Sequence, residues 1–455
     1  MKKKANKLSK ITRRGFIGAA ASATAFTIVP RHVLAASGKT PPSDRLNIAC
    51  IGVGGKGFSN VRSVKHENVV ALCDVDQERA GDAFDLVPNA KRYSDFRVAL
   101  EKEDKNIDAV LVTTPDHVHI PVTMMALNMG KHVYCEKPLG HNVHEVRMAT
   151  ELAKKTGLAT QMGNTLHSAS MYRRVIKLIQ AGTIGDIKEA HVWVDNEWDP
   201  EPRVVSKNIR QGDDRPEGSP PVPEHLNWNL WLGPATVRPY HGAYHPQSWR
   251  GWWDFGNGRL GDMGCNILDL PFTALDLKHP LTIESEGPLR AGLERVPNWL
   301  ISRWTFGQQG KQPPVELIWY DGNKRPEFIK DVSLPRSDVW PWYVAFVGTE
   351  GMLIAGEGAT GEFKLYPEEK FAGVEVPEVH RIGHHAEWIE ACKTGGQSRC
   401  NFDYAGPLTE TVLLGTVAYR VGKKLEWDPV NMKATNAPEA DQFLQRDVYR
   451  KGWEL

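Results

Sequence analysis

The sequence predicts an α/β protein whose first part is a doubly wound parallel sheet. Short apolar runs of strand type alternate with helical patterns from residue 46 to residue 162, and such alternation builds βα units with parallel strands. The first of these runs feeds straight into a glycine-rich turn. The chain is also 455 residues long, more than one core holds at about 150 residues per domain, so further domain structure must follow the first sheet.

The elements run in order. Residues 46–51 form the first strand and lead into Gly52-Val53-Gly54-Gly55-Lys56-Gly57, a GxGxxG pattern with a helix over 58–64. A second strand over 69–73 ends on Asp74. Gly52 permits a tight turn, Gly54 lets a pyrophosphate approach the backbone, and Gly57 allows close helix–strand packing. Lys56 stands at the opening of a helix whose free N–H groups and positive dipole end suit phosphates. Asp74, 20 residues after Gly54, is placed to accept hydrogen bonds from ribose hydroxyls and to repel a 2′-phosphate, which favours NAD over NADP. Strands over 108–113, 131–135 and 159–162 follow, with helices over 121–129 and 143–155. Pro121 suits a first-turn position. Ligands on such sheets sit beyond the carboxyl ends of the strands. Thr113-Thr114-Pro115-Asp116, Glu136-Lys137-Pro138 and Gly163-Asn164 stand there.

Composition narrows the function classes. Fifty-six Lys and Arg against 55 Asp and Glu leave no basic footprint for nucleic acid. Six cysteines show no metal-ligand spacing, and no metal site is expected. Cys50, Cys73 and Cys135 read as small core hydrophobes on buried strands. Cys392 and Cys400 could pair in an oxidising compartment. His117 and His119 lack further spaced ligands for a metal. The 15 tryptophans and 30 prolines suit either core packing or loops that lay flat rings against a sugar. Residues 198–256, rich in Pro, Gly and Trp, read as a substrate-side wall or lid.

The first 36 residues have signal-peptide layout. A basic start precedes Thr12-Arg13-Arg14-Gly15-Phe16-Ile17, a mild apolar stretch over 16–29 and the small-residue site Val33-Leu34-Ala35. The arginine pair is of twin-arginine type. The stretch is short for a permanent span, which takes about 20 strongly apolar residues, so no stable membrane anchor is expected. The expectation is a periplasmic protein, exported folded by the twin-arginine machinery, with residues 1–36 removed.

The segments GVGGKG, TTPDHVH, GKHVYCEKPLG and GDMGCNILD together resemble the Gfo/Idh/MocA oxidoreductases, over about residues 46–427. The resemblance implies an NAD-binding Rossmann domain over 44–165. It implies a substrate and oligomerisation α/β domain over 166–430 with a large, mainly antiparallel open sheet, and leaves 431–455 as a tail. Strand patterns over 187–194, 300–305, 315–319 and 343–347 and a helical pattern over 408–421 suit that domain. Such sheets commonly mediate oligomers, so a homodimer or homotetramer is expected.

By the same resemblance the cofactor contacts fall on Gly52, Gly54, Lys56, Gly57, Asp74, Thr114, His119, Glu136 and Lys137, with His119 fixing its loop. Lys137 lies beside the nicotinamide and the substrate carbinol, where an ammonium can hold a developing alkoxide. The family's second catalytic element maps to Asp262, Gly264 and position 266. The family has His at that last position and this chain has Asn266. An amide can orient a hydroxyl but cannot act as a general base. The proton then falls to Lys137 or to another group: His167, or His241, His245, Tyr240 or Tyr244 in the tryptophan-rich segment. His384 and His385 read as capping or packing residues.

Free NAD is scarce outside the cytoplasm, so an exported enzyme of this kind must keep its cofactor and restore it within each cycle. The expected function is oxidoreduction of a sugar or sugar derivative at a secondary or anomeric hydroxyl. One alternative is cleavage of a glycoside through transient oxidation. Another is a non-catalytic carbohydrate-binding protein that keeps fold and cofactor.

Overall fold

A computed structural model describes residues 44–194, 215–288, 294–310, 312–337, 341–356, 358, 361–379 and 382–455. Residues 1–36, read above as a signal peptide, and residues 198–214 of the tryptophan-rich stretch lie outside the described residues. Residues Leu46–Leu455 form one compact unit built on two sheets.

The first sheet has six strands: β1 (Asn47–Ile51), β2 (Asn68–Cys73), β3 (Lys91–Tyr93), β4 (Ala109–Val112), β5 (His132–Cys135) and β6 (Thr160–Met162). They pair in the order β3-β2-β1-β4-β5-β6, all in parallel. That order reverses direction between β1 and β4, and the crevice it opens is where Rossmann sheets bind dinucleotides. Central strands are buried on both faces, as parallel sheets covered by helices must be. Ile48, Cys50, Leu72 and Leu111 point one way, Ala49, Ile51, Val110 and Val112 the other.

The helices that matter for the site are α1 (Lys56–Val64), α2 (Phe96–Glu103), α3 (Asp116–Asn128), α4 (Val143–Thr156), α5 (Ser170–Gln180), α6 (Gly258–Ile267), α7 (His384–Thr394) and α8 (Phe402–Val421). Helix α4 has both end signals: the Asn142 side chain accepts from Glu145 N, and Gly157 closes the far end at φ 67°, where a side chain would be strained. Two helices start earlier than the sequence predicts. Helix α3 begins at Asp116 and takes Pro121 into its second turn rather than its first. Helix α8 begins at Phe402, capped by Asn401, and encloses Pro407. Each proline is the sixth residue of its helix, past the first turn, and so removes one i→i−4 hydrogen bond. Helix α8 is also buried nearly all round, not on one face. It packs between α4, α6 and the second sheet. Arg147 on α4 grips its buried Glu410 through two 2.7 Å bonds.

The second sheet has nine strands: β7 (Ile187–Val194), β8 (Thr282–Glu286), β9 (Ile301–Phe306), β10 (Val315–Tyr320), β11 (Trp342–Gly348), β12 (Met352–Gly356), β13 (Phe363–Tyr366), β14 (Leu425–Asp428) and β15 (Lys433–Ala434). Their order is β13-β12-β11-β7-β10-β9-β8-β14-β15. All its pairings are antiparallel except β7 with β10. Trp304, Trp319, Val192 and Phe346 on one face share the main core with the helices, whereas Trp193, Ile318 and Ile354 on the other form a separate apolar layer. The chain is thus an α/β protein with a doubly wound parallel sheet and a second, mainly antiparallel one.

Chain order and core membership do not coincide. Trp388 and Ile389 on α7, late in the sequence, complete the core on one face of the first sheet. All six cysteines are free and buried, including Cys392 and Cys400. Most tryptophans are core residues: Trp193, Trp304, Trp319 and Trp388 are among the largest fully buried side chains. Among the described residues no helix is long and apolar enough to cross a membrane, and no group of three or more His, Cys, Asp or Glu could hold a metal ion.

Candidate active site

A cavity of about 990 Å³ lies beyond the carboxyl ends of the first sheet. Its floor is the glycine loop. Gly52 sits at φ 77°, and a Cβ there would come within 2.6 Å of Thr113 O. A Cβ on Gly57 would meet Gly52 O at 2.1 Å. Neither position admits a side chain without moving backbone. At Gly54 the nearest atom to a Cβ is Arg79 Cβ, at 3.0 Å, so Arg79 closes that side of the loop and lines the cavity. No side chain caps α1, which leaves its terminal N–H groups for an anion.

Asp74 does more than the sequence predicts. Its Oδ2 accepts from Val53 N at 2.8 Å and Gly54 N at 3.0 Å, and its Oδ1 accepts from Asp76 N at 3.0 Å. It braces the loop from below. A carboxylate has roughly four acceptor directions, so room remains for a ribose hydroxyl. Burial pushes its pKa up, and three backbone N–H groups oppose the rise.

Other walls come from the strand ends. The ring nitrogens of His119 lie 2.7 Å from Pro138 O and 2.8 Å from Thr114 O, tying the loop after β4 to the loop after β5. Burial pushes this histidine down to about 4. The Thr114 hydroxyl is buried without a partner among the described residues. Glu136 lines the cavity, accepts from Asn60 Nδ2 at 2.8 Å and stands 3.7 Å from Lys56 Nζ. It packs so tightly that a Cβ on Gly163 would reach 2.6 Å from its Cδ.

Lys137 and Asp262 meet at one end. Lys137 Nζ donates to Asp262 Oδ1 at 2.8 Å and to the Asp262 main-chain oxygen. Arg250 Nε stands 3.0 Å from the same Oδ1. Burial works against the Asp262 charge, but Arg250 and Lys137 hold its carboxyl well below the usual range. Asp116, at the first position of α3, lines the same space and is 4% exposed. Both nearby cations are engaged by Asp262, and among the described residues Asp116 forms no ion pair. Burial pushes Asp116 up to about 8, with Asp262 adding to the rise and Arg250 and Lys137 opposing it.

Two predicted catalytic residues lie elsewhere. His167 is off the cavity wall. Its Nδ1 pairs with the buried Asp269 at 2.9 Å, and Tyr404 OH donates to the same oxygen at 2.6 Å. Both His167 and Asp269 are buried, between the turn that precedes α5 and Tyr404 of α8. Asn266 is also off the wall; its amide faces Met263 Sδ at 4.0 Å. It stands four residues beyond Asp262 on the same helix face, but where Asp262 bonds Lys137 its own amide turns to Met263. In the tryptophan-rich segment, Tyr244 is buried among Trp252 and Phe255 and Tyr240 packs edge-on to Trp228. His241 Nδ1 accepts from Ala243 N at 3.0 Å, and only His245 lines the cavity, paired with Asp76 at 2.7 Å. His384 and His385 are packing residues of α7: His384 Nε2 lies 2.8 Å from Met162 O, and His385 stacks on Tyr134 at 4.8 Å.

Sequence reasoning placed Asp116 in a segment beyond a strand end but gave it no role, and it gave none to Arg250. Arg250 carried no signal, because no periodicity placed its segment.

The cavity fits a dinucleotide on three counts: a loop where Cβ atoms would clash, an uncapped helix end, and an orphaned Thr114 hydroxyl on the wall. Fold and cavity together define a protein of the dinucleotide-binding Rossmann class. Two family models refine this. One, described as "Oxidoreductase family, NAD-binding Rossmann fold", matches residues 46–164, and its companion, "Oxidoreductase family, C-terminal alpha/beta domain", matches residues 207–306. Residues 46–164 and 207–306 thus match the two domains of the Gfo/Idh/MocA oxidoreductase family.

Among curated relatives, a glycosyl hydrolase family 109 protein of Shewanella baltica is 27% identical over 208 residues, 40% of this chain and 45% of its own. An inositol 2-dehydrogenase of Salmonella paratyphi B is 30% identical over 152 residues, 32% of this chain and 45% of its own. The matched stretch therefore spans less than half of each relative. The solved aldose-aldose oxidoreductase of Caulobacter crescentus shares the fold, with a TM-score of 0.56, 15% identity, and coverage of 84% of this chain and 99% of that one.

Proposed function

We propose that the protein is an oxidoreductase that uses bound NAD(H) to act on a sugar or sugar derivative at a secondary or anomeric hydroxyl. The observation that carries this reading is the Lys137 ammonium, held 2.8 Å from the Asp262 carboxylate at one end of the glycine-loop cavity. The glycine loop, Arg79, Asp74 and the N-terminus of α1 would hold the dinucleotide. When bound, its nicotinamide supplies the hydride acceptor and donor.

This chain's own residues do the rest. An ammonium has three donors. Two go to Asp262, and the third, with no partner among the described residues, can orient the substrate hydroxyl. Asp262 fixes the direction of that donor. Asp116 takes the proton as carboxylate and returns it as acid, a role Asn266 cannot fill. Trp249, which lines the cavity beside Arg250, would give a sugar an apolar edge to lie against. Asp74 favours NAD over NADP through its negative charge.

A second reading is favoured by the family 109 relative. There the sugar is oxidised transiently, a leaving group is eliminated, and hydride returns, so the net result is bond cleavage. A binding-only role is opposed by the Lys137–Asp262 pair. One experiment separates the three. The signal-processed protein, with no cofactor added, is followed by near-ultraviolet absorbance while sugars and glycosides are supplied, and the products are analysed. A reduced-nicotinamide signal that rises and recovers with turnover is expected. Oxidised and reduced products mark the first reading, and cleaved glycoside marks the second. Sugar binding without any nicotinamide signal would leave the binding role.

The pattern of residues 1–36 supports export by the twin-arginine route and a periplasmic location. Changing Arg13→Lys together with Arg14→Lys is expected to move the protein from the periplasmic to the cytoplasmic fraction; unchanged fractionation would remove the proposal. The resemblance supports a homodimer or homotetramer, which sedimentation of the processed protein tests against a monomer.

A further inference from the structure

The cavity has a second end, away from Lys137. Phe96, Val118, Leu230 and Trp453 line it, an apolar slot with aromatic walls beside Asp74 and Ser94. Two chain segments remote from the first sheet close it. One is the C-terminus. Trp453, two residues from the chain end, is 7% exposed. Its ring lies 5.8 Å from Phe96, edge-on, and the Arg97 guanidinium sits 4.2 Å over it. Arg97, itself held by Asp95 at 2.7 Å, donates to Gly452 O at 2.9 Å. Arg450 donates to the Asn229 side chain at 2.7 Å and to its main-chain oxygen at 2.6 Å. Tyr449 OH donates to the buried Glu145 at 2.7 Å. The tail is thereby anchored on α2, α4 and the tryptophan-rich segment together.

The other is that segment itself. Gln77 N donates to His225 O at 3.0 Å and Asn227 N to Val75 O at 2.8 Å. His245 Nε2 meets Asp76 Oδ2 at 2.7 Å, and His245 and Pro246 line the cavity. These bonds sew the segment to the loop that carries Asp74.

We infer that the C-terminal segment around Trp453, with the Asp76–His245 contact, is a clasp that keeps the dinucleotide's adenine end in place between turnovers. A flat base fits a slot lined by Phe96, Val118 and Leu230 and closed on one side by the buried Trp453, and an aromatic wall stabilises a bound base. Release requires the tail anchors to part, which slows dissociation beyond what the glycine loop alone provides. The inference rests on the dinucleotide reading above.

The test is the release rate of NAD(H) from holoprotein, followed by fluorescence with an excess of competing dinucleotide. Trp453→Ala is expected to speed release about ten- to a hundredfold and to lower the NAD content of the purified protein. Trp453→Phe is expected to restore most of the retention. If Trp453→Ala does not fold, Arg97→Gln, which removes the bond to Gly452, is expected to speed release in the same sense. Wild-type release rates in Trp453→Ala or Arg97→Gln would overturn the clasp alone. A wild-type protein that holds no dinucleotide, even when supplied, would overturn the functional reading and the clasp with it.

Discussion

Replacing Lys137 with methionine is expected to lower turnover of the true substrate about a hundred- to thousandfold or more, the usual cost of deleting a donor aimed at developing negative charge. The dinucleotide should stay bound. Methionine keeps the length of the side chain and loses only the ammonium. Arg250 still stands 3.0 Å from Asp262, so the carboxylate is not left unpaired, and the fold should tolerate the change. The measurement is kcat together with NAD content on the same preparation. A fall in kcat at constant NAD content supports the assignment. Unchanged turnover would remove Lys137 from the reaction. Loss of NAD with loss of activity would make Lys137 a cofactor ligand first.

How far the sequence carried this site depends on what kind of signal each residue left. The glycine loop was legible because its spacing and flanking strand and helix encode one backbone geometry. Gly52 and Gly57 stand where any side chain would strike Thr113 or Gly52. Lys137 and Asp262 were legible only by resemblance. They are 125 residues apart, and nothing local announces that they touch. Asp116 was read as part of a loop because Pro121 looked like a helix start. The helix begins five residues earlier, and that shift buries Asp116 at its first position. Trp453 lay in what read as a tail outside both domains. Its burial depends on Arg97 and Phe96, more than 350 residues away in sequence. His167 shows the same limit: a histidine near a strand end invites a catalytic reading, and its pairing with Asp269, itself bonded by Tyr404, left no local mark. Local pattern reports backbone geometry well. It reports the partner of a charged side chain poorly, because that partner is chosen by packing between distant segments.

Asp116 supplies the sharper test of the chemistry, because its effect can be read without a substrate. Its pKa rises from an ordinary value of 3.8 to about 8, with burial the main cause. Between those values the folded protein binds a proton that the unfolded chain has released. Stability must then fall as pH rises through this window, by at most about 1.4 kcal/mol per pH unit. Asp116→Asn removes the titrating group and keeps the shape. The variant should therefore gain in Tm over wild type as the pH is raised from 5 to 8, with little difference near pH 4. The rate should report the same group. For alcohol oxidation a carboxylate at Asp116 is the active form, so wild-type kcat should climb toward pH 8 and level off above it. Asp116→Asn should lose that limb and about two to four orders of magnitude in rate, with NAD content unchanged. Retention of the limb in the variant would pass the proton to another group, and Lys137 would be the first to test. A flat Tm difference across the same range would mean that Asp116 ionises normally in the folded protein, and that Arg250 and Lys137 neutralise both carboxylates rather than Asp262 alone.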